Sequence, residues 1–462
     1  MASDQRHPAP GWLLCRAILS SLLVPAMLGT AQGQEAEQGV TIERQFQVRL
    51  SRGWTDNLTR AGGNDASGTY NSAGVLANVQ RQSRRLQGGL RADLDYREYS
   101  DQYDDETLGT LTAFGDVHFV PNRFVWASGV DLGQGRTDAF AADGPGNRER
   151  ITVMRTGPRV SLPLGRRTNL ELGGVYSERR YEESDALESE DKTYDVGVYR
   201  EVSRTARVDL VATATDVEYQ GNLGYGIDSV ALRYERTLAT GSSFVEVGRN
   251  ELDFQNGTTS GSVARVAWNR RVGVRSRIGI SANHEFGDSG DLIDLSIGAL
   301  GTSRITDVLL TPDPLELNRV AVQFEYGGNR SRVAIQGAAF EENYQSDDGF
   351  DNEGVDVQLT IDRQFTQRLT GGIVFGHLER EFSVAGPRNV DQITWLFLDR
   401  QIGRHILIGM SAAHNQRRGQ DAFEEALYEL RFVYAAAGTR RSGIPPSGSS
   451  VGQVAPPGQA AR

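Results

Sequence analysis

Residues 86–96 alternate with a period of two. Leu86, Gly88, Leu90, Ala92, Leu94 and Tyr96 are apolar or small, while Gln87, Gly89, Arg91, Asp93 and Asp95 stand between them. Successive side chains of a β-strand point to opposite faces, so this stretch reads as a strand with one apolar and one polar face. One such strand suits a soluble sandwich equally well. The same pattern recurs about every 20 residues, with no helical pattern between, and that repetition predicts a transmembrane barrel, apolar toward lipid and polar toward the lumen. Phe46, Val48 and Leu50 alternate with Gln47, Arg49 and Ser51. Leu170, Leu172, Gly174 and Tyr176 oppose Asn169, Glu171 and Ser177. Val208, Leu210, Ala212 and Ala214 oppose Arg207, Asp209, Thr213 and Thr215. Val320, Val322, Phe324 and Tyr326 oppose Gln323 and Glu325, and Val355, Val357, Leu359 and Ile361 oppose Asp356, Gln358 and Asp362.

Short and long connections alternate between these stretches. The short ones fall near 83–85, 121–123, 165–167, 203–205, 239–241, 273–275, 329–331, 366–368 and 403–405. The long ones fall near 56–69, 100–106, 138–150, 182–192, 221–226, 256–261, 287–314, 346–354, 383–389 and 417–424, and the first of them is rich in Gly, Asn and Asp, which is turn chemistry. Outer-membrane barrels are built this way, with short turns in the periplasm and long loops outside. The fold expected is therefore all-β, a transmembrane antiparallel up-and-down barrel of about 20 strands, with about 18 as the alternative. The last strand is expected near 426–434, with Tyr428, Leu430, Phe432 and Tyr434 on one face.

Three domains are expected: residues 1–33 a signal peptide, 34–434 the barrel, and 435–462 a disordered tail of Pro, Gly, Ser and Ala. Arg6 and Arg16 accompany an apolar core over 17–28, and Ala31-Gln32-Gly33 supplies the small residues of a cleavage site, so the mature chain starts at Gln34. Cys15, the one cysteine, leaves with the signal, which removes disulfides and cysteine-based metal or nucleophile chemistry. A mean hydropathy of −0.43 argues against a helical membrane protein but not against a barrel, half of whose strand residues face water.

The net charge of −11 disfavours nucleic acid as a partner. Charge is also sorted by side. Arg84, Arg85, Arg123, Arg166, Arg167, Arg204, Arg275, Arg330, Arg368 and Arg404 sit in the short turns. Asp101, Asp104, Asp105, Glu106, Glu182, Glu183, Asp185, Glu188, Glu190, Asp191, Asp347, Asp348, Asp351 and Glu353 sit in the long loops. These carboxylates are either solvated or share divalent cations with lipopolysaccharide, as hard oxygen ligands do.

The chain resembles the outer-membrane β-barrel proteins encoded beside exopolysaccharide and exosortase (PEP-CTERM) genes. The resemblance rests on Gly53-Trp54-Thr55-Asp56-Asn57, on Thr311-Pro312-Asp313-Pro314 leading into residues 315–326, and on the stretch from Tyr326-Gly327-Gly328-Asn329-Arg330-Ser331-Arg332 to Glu341-Glu342-Asn343-Tyr344. It implies a Gram-negative outer-membrane location and association with polysaccharide or surface-material export. It brings no catalytic residues. The expected partners are outer-membrane lipid and lipopolysaccharide, the barrel assembly machinery, and polysaccharide-export components.

Catalytic chemistry is hard to find locally. Ser281 lies near His284 and Ser411 near His414, but residues three apart on a strand point to opposite faces. Asp347-Asp348-Gly349-Phe350-Asp351-Asn352-Glu353 has the composition but not the spacing of a calcium loop. No catalytic residue, cofactor or metal is expected, and an enzyme ranks third. The candidate functional residues line the lumen: Arg91, Asp93, Asp95, Arg97, Glu171, Asp209, Asp216, Glu325, Asp356 and Asp362. The function expected is a porin-like barrel linked to polysaccharide or surface-material export. The alternative is a non-conducting structural or assembly barrel that binds partners through loops or tail. In the longest loop, 287–314, the apolar runs over 292–300 and 308–310 suggest folding into the lumen as a constriction.

A chain processed at Gln34 should fractionate with the outer membrane and migrate differently on gels with and without heating. Recovery from the soluble periplasm would refute the barrel.

Overall fold

The computed structural model describes residues 41–60, 67–100, 103–138, 141–142, 144–220, 224–254, 257–288, 311–346, 348–383 and 388–436. The signal segment, the tail beyond Ala436 and both apolar runs of the longest loop lie outside these. Twenty antiparallel strands make up nearly all of the described chain. The first ten are β1 (Thr41–Thr55), β2 (Gly68–Gln82), β3 (Leu86–Tyr99), β4 (Glu106–Val120), β5 (Phe124–Gly135), β6 (Glu149–Pro163), β7 (Thr168–Tyr181), β8 (Ser189–Glu201), β9 (Ala206–Tyr219) and β10 (Gly224–Leu238). The rest are β11 (Gly241–Phe254), β12 (Gly257–Val272), β13 (Ser276–Gly287), β14 (Leu315–Gly327), β15 (Ser331–Tyr344), β16 (Asn352–Thr366), β17 (Leu369–Phe382), β18 (Arg388–Gln401), β19 (Ile406–Arg418) and β20 (Phe423–Ala435). Each pairs with its neighbours in sequence, and β1 also pairs with β20, from Gln47↔Ala435 to Thr55↔Leu427. The sheet is closed. Strands of 12 to 16 residues are long enough to cross a bilayer when tilted.

The period-two faces are where the alternation places them. Ile42, Phe46, Leu50 and Trp54 of β1, Leu210 of β9, Val230 and Leu232 of β10 and Val320 and Val322 of β14 are exposed on the outside. Exposed aromatics border this apolar belt on both sides. Trp54, Tyr96, Tyr176, Tyr194 and Tyr428 stand toward the long loops, and Trp126, Phe365, Phe432 and Tyr434 toward the short turns. A lipid-facing band between two aromatic girdles, on a closed barrel, is the architecture of a bacterial outer-membrane protein.

The Gly53–Asn57 motif clamps the barrel seam. Thr55 Oγ1 donates to Glu425 at 2.7 Å, and Asn57 Nδ2 donates to the Glu424 carbonyl at 3.0 Å. Ala426 N donates to Asp56 Oδ1 at 2.7 Å, and Arg60 pairs with Glu425 at 2.8 Å. At the other end Ala436 N donates to the Phe46 carbonyl at 3.0 Å, so the closing strand runs past Tyr434 and takes in Ala435, expected to begin the tail. Asp313, of the second motif, accepts from Ser346 N at 3.0 Å and so ties the foot of β14 to the β15–β16 loop.

Two boundaries differ plainly. Residues 189–192, expected in the loop 182–192, begin β8, where Asp191 is buried against Arg179 at 2.9 Å. The Gly- and Thr-rich run 257–261 reads as loop, yet it extends the β11–β12 hairpin to Phe254↔Gly257. At Gly261 smallness serves packing, because a Cβ there would stand 2.9 Å from the Phe286 ring.

Leu90→Arg places a charge toward lipid and should cost about 2–4 kcal/mol near the bilayer midplane, whereas Arg91→Leu should assemble normally. Heat-modifiable yields of the two variants check this, and the reverse order would mean that the two faces are exchanged.

Candidate functional site

The inner wall is held by charge pairs that span three strands over a glycine. Arg49 (β1), Gly74 (β2) and Asp95 (β3) lie in register, and Arg49 reaches Asp95 at 3.4 Å and Asp93 at 3.2 Å. A Cβ on Gly74 would lie 2.6 Å from the Asp95 carboxylate and 3.0 Å from Arg49. Asp399 (β18), Gly409 (β19) and Arg431 (β20) repeat the device, with the pair at 2.7 Å. Asn269, Gly279 and Gln323 form an uncharged version, Gln323 Nε2 donating to Asn269 Oδ1 at 3.2 Å. The glycine removes the side chain that would otherwise separate residues two strands apart.

At the short-turn end the wall opens into a cavity of about 830 Å³ that reaches from β12 around to β2. Ten arginines line it (Arg49, Arg271, Arg275, Arg277, Arg330, Arg332, Arg363, Arg368, Arg404 and Arg431), against three carboxylates (Glu325, Asp362 and Asp399). Arg277 stands opposite Glu325 and Arg332 opposite Asp362 in register. Among the described residues neither comes within ion-pair distance of a carboxylate, nor does Arg271. The nine short turns add to this field, for they contain no Asp or Glu and supply six further arginines, Arg84, Arg85, Arg123, Arg166, Arg167 and Arg204. Low-dielectric walls carrying one sign of charge concentrate counter-ions of the other sign.

Toward the long loops the wall changes character. Val217, Tyr219, Tyr225, Leu252 and Phe286 form an apolar cluster on the lumen side. Phe286 joins it because β13 separates from β12 beyond Ala264↔His284 while staying paired with β14 to Gly287↔Leu315. The tip of β13 thereby turns inward. The next residue but one, Asp288, is 1% exposed and is held by Arg179 at 2.7 Å, Tyr225 Oη at 2.6 Å and Tyr219 Oη at 3.1 Å. The start of the longest loop is thus fixed to β7, β9 and β10.

Of the residues expected in the lumen, Asp93 and Asp95 pair with Arg49 as above, and Arg91 faces inward between Asn78 and Thr112. Arg97 lies over the Tyr70 ring at 4.7 Å. Asp209 pairs with Arg207 at 2.8 Å, and Glu171, Asp356, Glu325 and Asp362 also have inward parity, the last two lining the cavity. Asp216 is different. It shares the face of Leu210 and Ala214, is exposed, and lies opposite Lys192 on the outer surface. Its charge suggested the lumen, but strand parity decides the face. Of the cavity's arginines, Arg275, Arg330, Arg368 and Arg404 were visible in sequence as turn residues and Arg49 as part of a polar strand face, but nothing local brought them together. Pairing around β12–β20 is what assembles them.

His284 and Ser281 do face opposite ways, as do His414 and Ser411. His284 instead meets side chains from the strands on either side of it, Ser262 and Asn318.

No protein-family model and no curated protein matches the chain. Among solved structures it is similar to the FrpB iron transporter from Neisseria meningitidis (F5-1 variant), with 10% identity, 85% of this chain and 82% of that chain covered, and a TM-score of 0.44. It is similar also to OccK2 (OpdF) of Pseudomonas aeruginosa, with 12% identity, coverage of 85% and 98%, and a TM-score of 0.36. The siderophore receptor PirA from Pseudomonas aeruginosa gives 8% identity, coverage of 85% and 80%, and a TM-score of 0.42.

The Arg431–Asp399 side chains are 5% and 4% exposed, so Arg431→Met leaves a buried carboxylate without its cation. The expected cost is about 3–5 kcal/mol. Lys192 and Glu218, 38% and 60% exposed, form a surface pair on the outer face. Lys192→Met should cost under about 1 kcal/mol. Urea-unfolding midpoints in lipid vesicles compare the two, and equal shifts would contradict the burial argument.

Proposed function

We propose that this outer-membrane barrel is a porin-like conduit for acidic hydrophilic solutes, of which acidic saccharides handled in polysaccharide or surface-material export are one class. The excess of arginine over carboxylate in the short-turn cavity carries this reading. A wall of paired charges presents polar groups to water at little net charge. A vestibule with ten arginines and three carboxylates instead selects by sign. The resemblance to barrels encoded beside exopolysaccharide genes supports the export link.

In planar bilayers the protein should form channels whose reversal potential in a salt gradient indicates anion preference. Replacing Arg271, Arg277 and Arg332 together by Gln should move that potential toward cation preference and leave heat-modifiable folding intact. Absence of channels from well-folded protein would favour the non-conducting scaffold.

A further inference from the structure

The outer surface, away from the lumen, carries a hydrogen-bonded Ser–His–Asn row. Ser262 (β12), His284 (β13) and Asn318 (β14) all have outward parity, shared with Val266, Ile280 and Val320. His284 Nε2 lies 3.0 Å from Ser262 Oγ, and His284 Nδ1 lies 2.6 Å from Asn318 Oδ1. The Asn318 amide is oriented by donation from its Nδ2 to Glu341 on β15, at 3.3 Å. Its oxygen therefore faces the imidazole. In the neutral imidazole that makes Nδ1 the donor and leaves Nε2 as the acceptor for the serine hydroxyl. The Glu316 carboxylate is also 3.5 Å from Nδ1. A nucleophile, a base in the tautomer able to take its proton, and a group orienting that base are what hydroxyl-based acyl transfer requires.

The surroundings indicate the substrate. Ser262 is exposed, and its register partner across β11 is Arg249, whose guanidinium donates to the neighbouring Ser260 Oγ at 2.8 Å. Arg249 borders an outer-face groove of about 580 Å³, where the small Ala212 and Ala214 lie between Val196 and Val230. Ser262 lies four residues beyond Val266, and His284 four beyond Ile280, on the long-loop side. At about 3.3 Å per residue and the tilt of a barrel strand, that is roughly 10 Å along the barrel axis, at the edge of the apolar belt. An ester carbonyl of an outer-leaflet lipid sits at that depth, with its acyl chain toward the groove and its phosphate toward the loops.

We propose that Ser262, His284 and Asn318 form an acyl-ester hydrolase site acting on fatty-acyl esters of phosphorylated lipids. Ser262 Oγ attacks the ester carbonyl carbon as Nε2 takes its proton. Asn318 Oδ1 and the Glu316 carboxylate stabilise the imidazolium. The Arg249 guanidinium faces the oxyanion or the adjacent phosphate. The ester C–O bond then breaks, and the imidazolium gives its proton to the departing alkoxide. Water, deprotonated by Nε2, attacks the acyl-serine, and Oγ recovers the proton as the fatty acid leaves. The site does not depend on conduction through the lumen.

The test uses the full chain in detergent micelles. A fluorophosphonate probe should form an adduct on Ser262, located by peptide mass spectrometry. The same protein should release fatty acid from micelles of a diacyl phosphoglyceride or of an acylated, phosphorylated disaccharide lipid, and the arm that responds identifies the source. Ser262→Ala should lower release to background. His284→Ala should lower it by at least about a hundredfold. Asn318→Ala should lower it, and Asn318→Asp should restore it, with unchanged heat-modifiable mobility throughout. A bond that merely braces three strands gives no adduct and no such rescue. Absence of an adduct on Ser262, with release no greater than from Ser262→Ala, would overturn the assignment.

Discussion

Backbone groups in a bilayer have no water to pair with, so every N–H and C=O of a spanning sheet must be satisfied within the sheet. The contact that meets this condition here is the pairing of β1 with β20, which turns an open ribbon with two unsatisfied edges into a barrel. It has fewer residue pairs than the adjoining β1–β2 ladder, and the side chains of Thr55, Asp56, Asn57 and Arg60 reinforce it at the loop end. Inner wall, outer belt and sorting of the connections all presuppose that closure.

Inside the barrel, the recurring problem is to keep charge on a wall that must also pack. Arginine–carboxylate pairs that step over Gly74 and Gly409 solve it by linking strands two apart, at positions where any side chain would intervene. Toward the short turns the pairing runs out and cation predominates. Toward the long loops ion pairs such as Arg60–Glu425 and Arg179–Asp191 continue, and along β9 to β13 an apolar cluster and the Arg179–Asp288 tie join them. The charge of the lumen is therefore graded along its axis, with arginine in excess over carboxylate at the short-turn end.

The outer surface is not uniformly passive either. Beyond the apolar belt, the polar residues of β12 to β15 hydrogen-bond to one another from Ser262 through His284 and Asn318 to Glu341. Placed at a lipid–water border, such a row meets ester groups rather than bulk water. Lumen and outer face thus offer two separate chemistries on one sheet.

The sequence by itself determined the strands, their two faces and the alternation of short and long connections, because these are local: a period of two reports which way each side chain points. It determined the closing aromatic strand for the same reason. The small, polar run 257–261 has the composition of a loop, and at Gly261 that smallness serves a distant ring, that of Phe286. Only the tertiary structure decided which residues meet. Ser262 and His284 are 22 positions apart, and Asp399 and Arg431 are 32 apart. Both pairs depend on register, which long-range hydrogen bonding and turn length set jointly. Asp216 shows the same limit on a single residue: its charge argued for the lumen, and the parity of β9, anchored by Leu210 in lipid, placed it outside. The arginines of the vestibule were all in plain sight, but their convergence on one cavity belongs to the closed barrel alone.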